Sequence, residues 1–219
     1  MASPITASLS AASIHSTAIV EKTVELGPGT AIWNNVHIRH GATIGAQCIV
    51  GEKTYIAPGV RIGDRVKINA FVYICSQVTI EIGAMVSAGV IFTNDRYPRA
   101  TSPDLMHLRS SATDENTLPT LVREGATIGA GCRIGCGLTI GRFAMVGMGS
   151  VVTKSVPDFA LALGNPARIT GYVCRCGSPL LRFSEESAPH SAELQCDACL
   201  RFYNLRSGLL SDSLLACDD

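Results

Sequence analysis

The sequence predicts an all-β fold, a parallel β-helix in which short strands wind around one dry axis. Three observations carry this. An apolar residue recurs every sixth position: counting in sixes from Ile14 to Phe92 meets fourteen apolar residues without a miss, and the beat resumes from Val122 to Val152. The residue two places before the beat is small or β-branched almost throughout, as at Thr30, Val36, Ala42 and Cys48. Glycine borders the turns, as at Gly45, Gly51 and Gly63.

A period of six is neither the 3.6 of a helix nor the 2 of an uninterrupted strand. Side chains two apart in a strand share a face, so each hexad reads as a short strand with two inward residues, followed by a turn. The turns are expected to use glycine for its positive φ. Stacked coils of such hexads pair in parallel and bury a continuous aliphatic column, which is a solenoid. Twenty hexads at three per coil would give a little under seven coils.

Composition agrees. The chain has 219 residues, 47% of them apolar, 16% charged and only 5% aromatic, with 21 glycines. This describes a packed aliphatic interior with frequent turns. The 18 Lys and Arg balance the 18 Asp and Glu. Zero net charge removes bulk electrostatic capture of nucleic acid or of an anionic membrane. No apolar run approaches the roughly 18 residues of a membrane span. The opening MASPITASLSAAS, residues 1–13, is small and polar, reads as a flexible N-terminus and lacks the features of a secretory signal. Nine cysteines without such a signal point to the cytoplasm, where thiols stay reduced.

The predicted organisation is therefore a flexible stretch over 1–13, a β-helix domain over 14–173, a small module over 174–205 and a flexible tail over 206–219. Within the helix domain, residues 93–121 abandon the beat and carry three prolines. Loops of this length without regular structure are usually functional. The beat returns in phase, so the segment is an excursion from the coil, either a tolerated insertion or an arm over a site. On the flat outer face, beside the beat, stand Trp33, His37, Arg39, Tyr55, Asn69 and Tyr73. Exposed aromatics there suggest burial by a partner.

The module begins CRCG, with Cys174 and Cys176, and continues to Cys196-x-x-Cys199. Two thiolate pairs separated by a hairpin-length insert suit tetrahedral zinc, and four protein thiolates would close the site to catalysis. A module of this size has too little core to stand alone, so metal would supply much of its stability. The competing reading is four free thiols. Cys48 and Cys132 occupy the small inward row and read as core; Cys75 and Cys136 lie outside it, Cys217 in the acidic end.

The hexads resemble the hexapeptide-repeat proteins, whose helix is left-handed with three hexads per coil; the hand comes from that resemblance. Three further segments, Phe92-Thr93-Asn94 with Pro98-Arg99, Thr120-Leu121-Val122, and Gly164-Asn165-Pro166-Ala167-Arg168, are similar to bacterial N-acetyltransferases that modify the 3-amino group of nucleotide-linked sugars. The resemblance covers roughly residues 13 to 175, and the tail resembles a zinc ribbon. It implies an acetyl-CoA co-substrate, a nucleotide amino-sugar acceptor, structural zinc, and a homotrimer with active sites between prisms.

Attack by the amine on the thioester requires an unprotonated nucleophile, a held carbonyl and a proton acceptor. Among five histidines, His37 on the outer face is a candidate base. Asn94 matches the family segment and could orient the amine. Asp95 matches no consistent family position, and Glu124 is a further acid/base candidate. Proton acceptance by the leaving thiolate alone stays open. Gly137, Gly147 and Gly149 would let pantetheine approach the backbone, Lys154 and Arg168 would meet its phosphates, and Asn69 and Arg99 would face the sugar nucleotide. Another acyl transfer on the same scaffold, or a non-catalytic scaffold, are the alternative readings; a γ-class carbonic anhydrase lacks its expected His-x-x-x-x-His spacing here.

Overall fold

In the computed structural model, residues 10–183 and 189–212 are described. Residues 1–9, 184–188 and 213–219, which hold most of the expected flexible N-terminus, half of the expected tail and Cys217, lie outside the described residues. Every element among the described residues is a strand, and no helix is long and apolar enough to cross a membrane.

The strands are mostly two residues long, and each ends on the beat: Ile38 closes His37–Ile38, Ile56 closes Tyr55–Ile56, Ile74 closes Tyr73–Ile74. Each pairs in parallel with the strand one coil on, so His37 faces Tyr55, and Tyr55 faces Tyr73. Three faces result, in sheets of ten, seven and six strands. We call the face holding Ser13–Ile14 face A, the face holding Ile19–Val20 face B and the face holding Glu25–Leu26 face C. Backbone N–H groups reach carbonyls of the next coil, as from Thr43 to Val60 at 2.9 Å, so the chain satisfies its polar backbone along the axis.

The interior is the predicted column. Every beat residue from Ile32 onward is buried, Ile38, Ile56 and Ile74 completely. Ile14, 48% exposed, and Val20 and Leu26, half-buried, are the exceptions, because they belong to the outermost described coil and are covered from one side only. Polar members of the inner row are satisfied: Thr30 Oγ1 donates to the Gly45 carbonyl at 2.7 Å and accepts from Cys48 N–H at 2.9 Å.

The glycines beside the beat serve a different purpose from the one expected. Gly45 and Gly51 do not have positive φ; a β-carbon on Gly51 would lie 2.6 Å from the backbone of the next coil. The coils approach too closely there for a side chain. Positive φ falls instead at the corners, as at Gly59 and Gly137.

Two boundaries shift. The coil resumes at Thr120, which pairs with Val78, rather than after residue 121, because Thr120 takes the inner-row slot of its rung. At the other end, Leu209–Asp212 is not tail: it pairs antiparallel with Phe202–Arg206, which pairs with Ser191–Gln195, and its Leu210 is buried. Leucine at that position supplies core that the small module needs, and the sheet closes over it. The solenoid itself ends in an antiparallel turn-back, Ala160–Gly164 against Ala167–Val173 against Pro179–Arg182.

Candidate active site

The long excursion leaves the B-to-C corner at Asn94 and returns to the same corner, where Leu118 N–H donates to the Asn94 carbonyl at 2.8 Å. It is an arm folded on itself, with antiparallel bridges Asp95–Thr117 and Thr101–Leu108. Between the arm and face B lies a cleft of about 700 Å³. Its floor is the stacked pair Tyr55 and Tyr73, whose rings lie 5.1 Å apart and nearly parallel. Its rim carries Arg39, Arg99 and Arg109, and Asp95 is the sole carboxylate among the described residues lining it. Asn94 also lines it, with Nδ2 donating to Ser76 Oγ at 2.8 Å. The buried Cys75 thiol stands in the same wall, and burial pushes it up to about 12, so it stays protonated and unreactive at neutral pH.

Below the cleft, toward the first described coils, Glu21 gathers its neighbours. Oε1 pairs with His37 Nε2 at 3.1 Å and with Arg39 Nε, and Oε2 accepts from His40 N–H at 2.9 Å and lies 3.0 Å from His40 Nδ1. The His40 backbone N–H, helped by both imidazoles and Arg39, holds the Glu21 carboxyl at about 2. Arg39 in turn donates to Tyr55 Oη at 3.0 Å. Glu21 thereby fixes the guanidinium that fixes one half of the aromatic floor.

Asn94 and Arg99 thus come together in one cleft, and His37 touches its floor edge-on, 5.6 Å from the Tyr55 ring. Glu124 does not join them; it lines a separate cleft at the C-to-A corner beside Glu81, whose Oε2 accepts its N–H at 2.9 Å. Asn69 ends a face A rung, and its carbonyl accepts from Thr54 Oγ1 at 3.1 Å; it is not among the described lining of the arm cleft. Gly137 sits at the foot of the arm against Leu118, Gly149 faces open space, and the space beside Gly147 is filled by the Leu163 side chain. Lys154 and Arg168 line one pocket at the end of the solenoid. Sequence reading passed over Glu21, Arg39 and Arg109 as site residues. Partners 16 and 19 residues apart, as Glu21 has in His37 and His40, face each other only once the coil length is known.

The four module cysteines converge: all four sulfurs lie within 4.8 Å of one another. Cys174 Sγ is 3.3 Å from Cys199 Sγ, and Cys176 Sγ is 3.7 Å from Cys196 Sγ. Burial pushes the Cys174 thiol up, while Ser178 holds the exposed Cys176 thiol down. Tyr203 Oη lies 3.1 Å from Cys174 Sγ and accepts from Arg175 N–H at 2.9 Å. Its ring packs 5.5 Å from Phe159, itself stacked on Phe143, which ties the module to the last coils.

Comparison with known proteins fits this geometry. The family described as bacterial transferase hexapeptide (six repeats) matches residues 23–58, and the hexapeptide repeat of succinyl-transferase matches residues 41–76 and 119–154, the two sides of the arm. Both matches fall on the six-residue beat. Over 96 residues the chain is 47% identical to the dTDP-3-amino-3,6-dideoxy-alpha-D-galactopyranose 3-N-acetyltransferase of Aneurinibacillus thermoaerophilus, covering 44% of this chain and 46% of that protein. It is 29% identical over 165 residues to the bifunctional protein GlmU of Paenarthrobacter aurescens, covering 71% of this chain and 33% of that one. The chain spans less than half the length of these curated relatives. Among solved structures it is similar to a hexapeptide-repeat containing acetyltransferase from Vibrio cholerae, with 26% identity, a TM-score of 0.50, and coverage of 60% of this chain and 73% of the other.

Proposed function

We propose that the chain is an acetyl-CoA-dependent N-acetyltransferase whose acceptor is the amine of a nucleotide-linked amino sugar. The observation that carries this is the arm cleft. It sets three arginines, an aromatic floor, Asn94 and a single carboxylate around a volume of about 700 Å³. Arginines suit a diphosphate, and the amide and carboxylate suit an amine. The 47% identity with a sugar 3-N-acetyltransferase supports the same reading.

In this reading Asn94 orients the acceptor. Its Nδ2 is committed to Ser76, which leaves Oδ1 to accept from the amine N–H. The nitrogen lone pair attacks the thioester carbonyl, the new N–C bond forms and the C–S bond breaks. The amine proton passes to Asp95, the carboxylate at the cleft, and from there to the departing thiolate. Asp95 takes this role in preference to His37, whose Nε2 is engaged by Glu21, and to Glu124 at another corner. Arg99, with Arg39 and Arg109, meets the nucleotide phosphates. Gly149, which faces open space, leaves the backbone open to pantetheine, whereas Leu118 covers Gly137 and Leu163 covers Gly147; Lys154 and Arg168 meet the phosphates of coenzyme A.

The working unit is a homotrimer. Supporting this, face A and the A-to-B corner present Trp33, Phe71 and Met148, exposed by 53%, 56% and 83%, an apolar stripe suited to a neighbouring prism. The cysteine cluster holds structural zinc. Tetrahedral thiolates at about 2.3 Å from zinc stand about 3.8 Å apart, close to the sulfur separations here. Four thiolates complete the shell, so the ion would hold the module together and take no part in acetyl transfer. No disulfide joins the eight described cysteines, which accords with a cytoplasmic setting.

Turnover of acetyl-CoA with a panel of nucleotide-linked amino sugars tests the activity, and sedimentation equilibrium tests the trimer. Acetylation of at least one 3-amino sugar is expected; no turnover and no coenzyme binding would leave a scaffold.

A further inference from the structure

Tyr203 stands between the four clustered sulfurs and the last coils of the solenoid. It lies on the central strand of the module's sheet, paired with Leu194 on one side and Asp212 on the other, and is 1% exposed. A phenol buried so deeply needs partners for its hydroxyl inside the protein. It has two. The Arg175 N–H donates to Oη at 2.9 Å, and Oη lies 3.1 Å from Cys174 Sγ. A backbone N–H can only donate, so Oη accepts on that side and its own hydrogen is left for the sulfur. The Cys176 N–H also faces Cys174 Sγ, at 3.5 Å. The sulfur therefore receives two donors, which suits a thiolate held against a cation.

The ring of the same residue faces the solenoid. It meets Phe159 edge-on at 5.5 Å, Phe159 stacks on Phe143 at 5.6 Å, and the Arg175 guanidinium covers the Phe143 ring at 4.4 Å. Phe143 and Phe159 are corner residues with φ of 52° and 60°. A bulky side chain is uncommon in that left-handed region and needs its surroundings to hold it there. Tyr203 and Arg175 supply those surroundings, and both touch or adjoin Cys174. The amides of the two phenylalanines join one coil to the one before: Phe143 N–H donates to the Glu124 carbonyl at 2.9 Å, and Phe159 N–H to the Arg142 carbonyl at 2.8 Å. Loosening the aromatic ladder therefore loosens two bonds between coils.

We propose that Tyr203 is a positioning residue for the metal centre and couples its occupancy to the last coils of the solenoid. The inference rests on the zinc reading above. The hydroxyl holds the Cys174 sulfur where a ligand must stand and offsets part of the charge buried there. The ring carries the order of the filled centre to Phe159 and Phe143. The bonds between the last coils are then firmer in the metal-bound protein, so the effect of the four cysteines reaches beyond their own module.

Two measurements on the full-length protein test this: zinc affinity in competition with a chromophoric chelator, and amide hydrogen exchange with zinc bound and after chelation. Tyr203→Phe keeps the ring and removes the hydroxyl. It is expected to bind zinc about tenfold more weakly, the usual cost of losing a partner of a metal ligand, while its chelated form melts at the temperature of the chelated wild type. A tyrosine that only fills space would leave zinc affinity unchanged. In the wild type, zinc should slow exchange at the Phe143 and Phe159 amides and leave the Tyr55 amide, several coils away, as it was. Equal zinc affinity in Tyr203→Phe, or exchange at Phe143 and Phe159 that is indifferent to the metal, overturns the coupling and leaves the zinc reading in place. A wild type that binds no zinc overturns both.

Discussion

Asn94 Nδ2 donates to Ser76 Oγ at 2.8 Å, a bond that ties the root of the arm to the coil before it. The amide is thereby held in one orientation. Replacing Asn94 by Ala should reduce kcat/KM for the amino-sugar acceptor on the order of 10²-fold, the cost of misplacing a reacting group by about 1 Å. Ser76→Ala, which frees the amide without removing it, should cost less. Steady-state kinetics of the two variants against the wild type check the order.

Asp95 is the carboxylate of the cleft. Asp95→Asn keeps its size and removes its basicity, so kcat should fall by roughly 10²- to 10⁴-fold, the usual contribution of a general base. Glu124→Gln, at the opposite corner, should leave kcat near the wild-type value. The reverse order of effects would move the chemistry to the other corner.

The Glu21 carboxyl is held at about 2, below its ordinary 4.5. A depressed carboxyl stabilises the folded state above the unfolded pKa, and that contribution is lost as pH falls through the folded one. Wild-type stability should therefore decline between about pH 4.5 and pH 2 more steeply than that of Glu21→Gln. Thermal melts of both proteins at intervals across this window give the comparison; parallel curves would mean that the imidazoles and Arg39 do not hold the carboxylate in solution.

Ile56 is completely buried in the axial column, with Ile38 and Ile74 on its neighbouring rungs. Ile56→Ala should destabilise the fold by about 2–5 kcal/mol, from lost transfer energy plus the cavity left between rungs that cannot collapse onto each other. Denaturant unfolding measures this directly. Substituting Arg61, exposed on its own rung, should change stability by under about 0.5 kcal/mol.

Cys196 is buried among the four clustered sulfurs. Cys196→Ser should abolish bound zinc in metal analysis of the purified protein, and chelation of the wild type should lower its melting temperature, because ion binding is coupled to folding of the module. Unchanged metal content in Cys196→Ser would assign the cluster as free thiols.

The coil was legible in the sequence because one physical demand repeats at every turn: Ile38, Ile56 and Ile74 must all fill the same dry axis. The cysteine cluster was legible for a similar reason, since its ligands come in close pairs. The site was only partly so. Asn94 and Arg99 were found through their segment, and the cleft unites them. Arg39, Glu21 and Asp95 act through neighbours that only folding creates. The role of Gly45 was misjudged because close packing of backbones and freedom of φ select the same residue. The strand Leu209–Asp212 was missed because four residues ending in Asp carry too little pattern to separate from a loose end.

The arm begins and ends at one point on the prism, where Leu118 meets Asn94. Lengthening or replacing such a segment leaves the register of every coil intact, and closing a loop twice as long costs only about 0.6 kcal/mol more. In the proposed reading the fold therefore separates what holds it up from what chooses the acceptor. Descendants of one scaffold can acquire new substrates by exchanging a single cassette, and a chimera bearing a foreign arm is the natural starting point for redesigning this protein's selectivity.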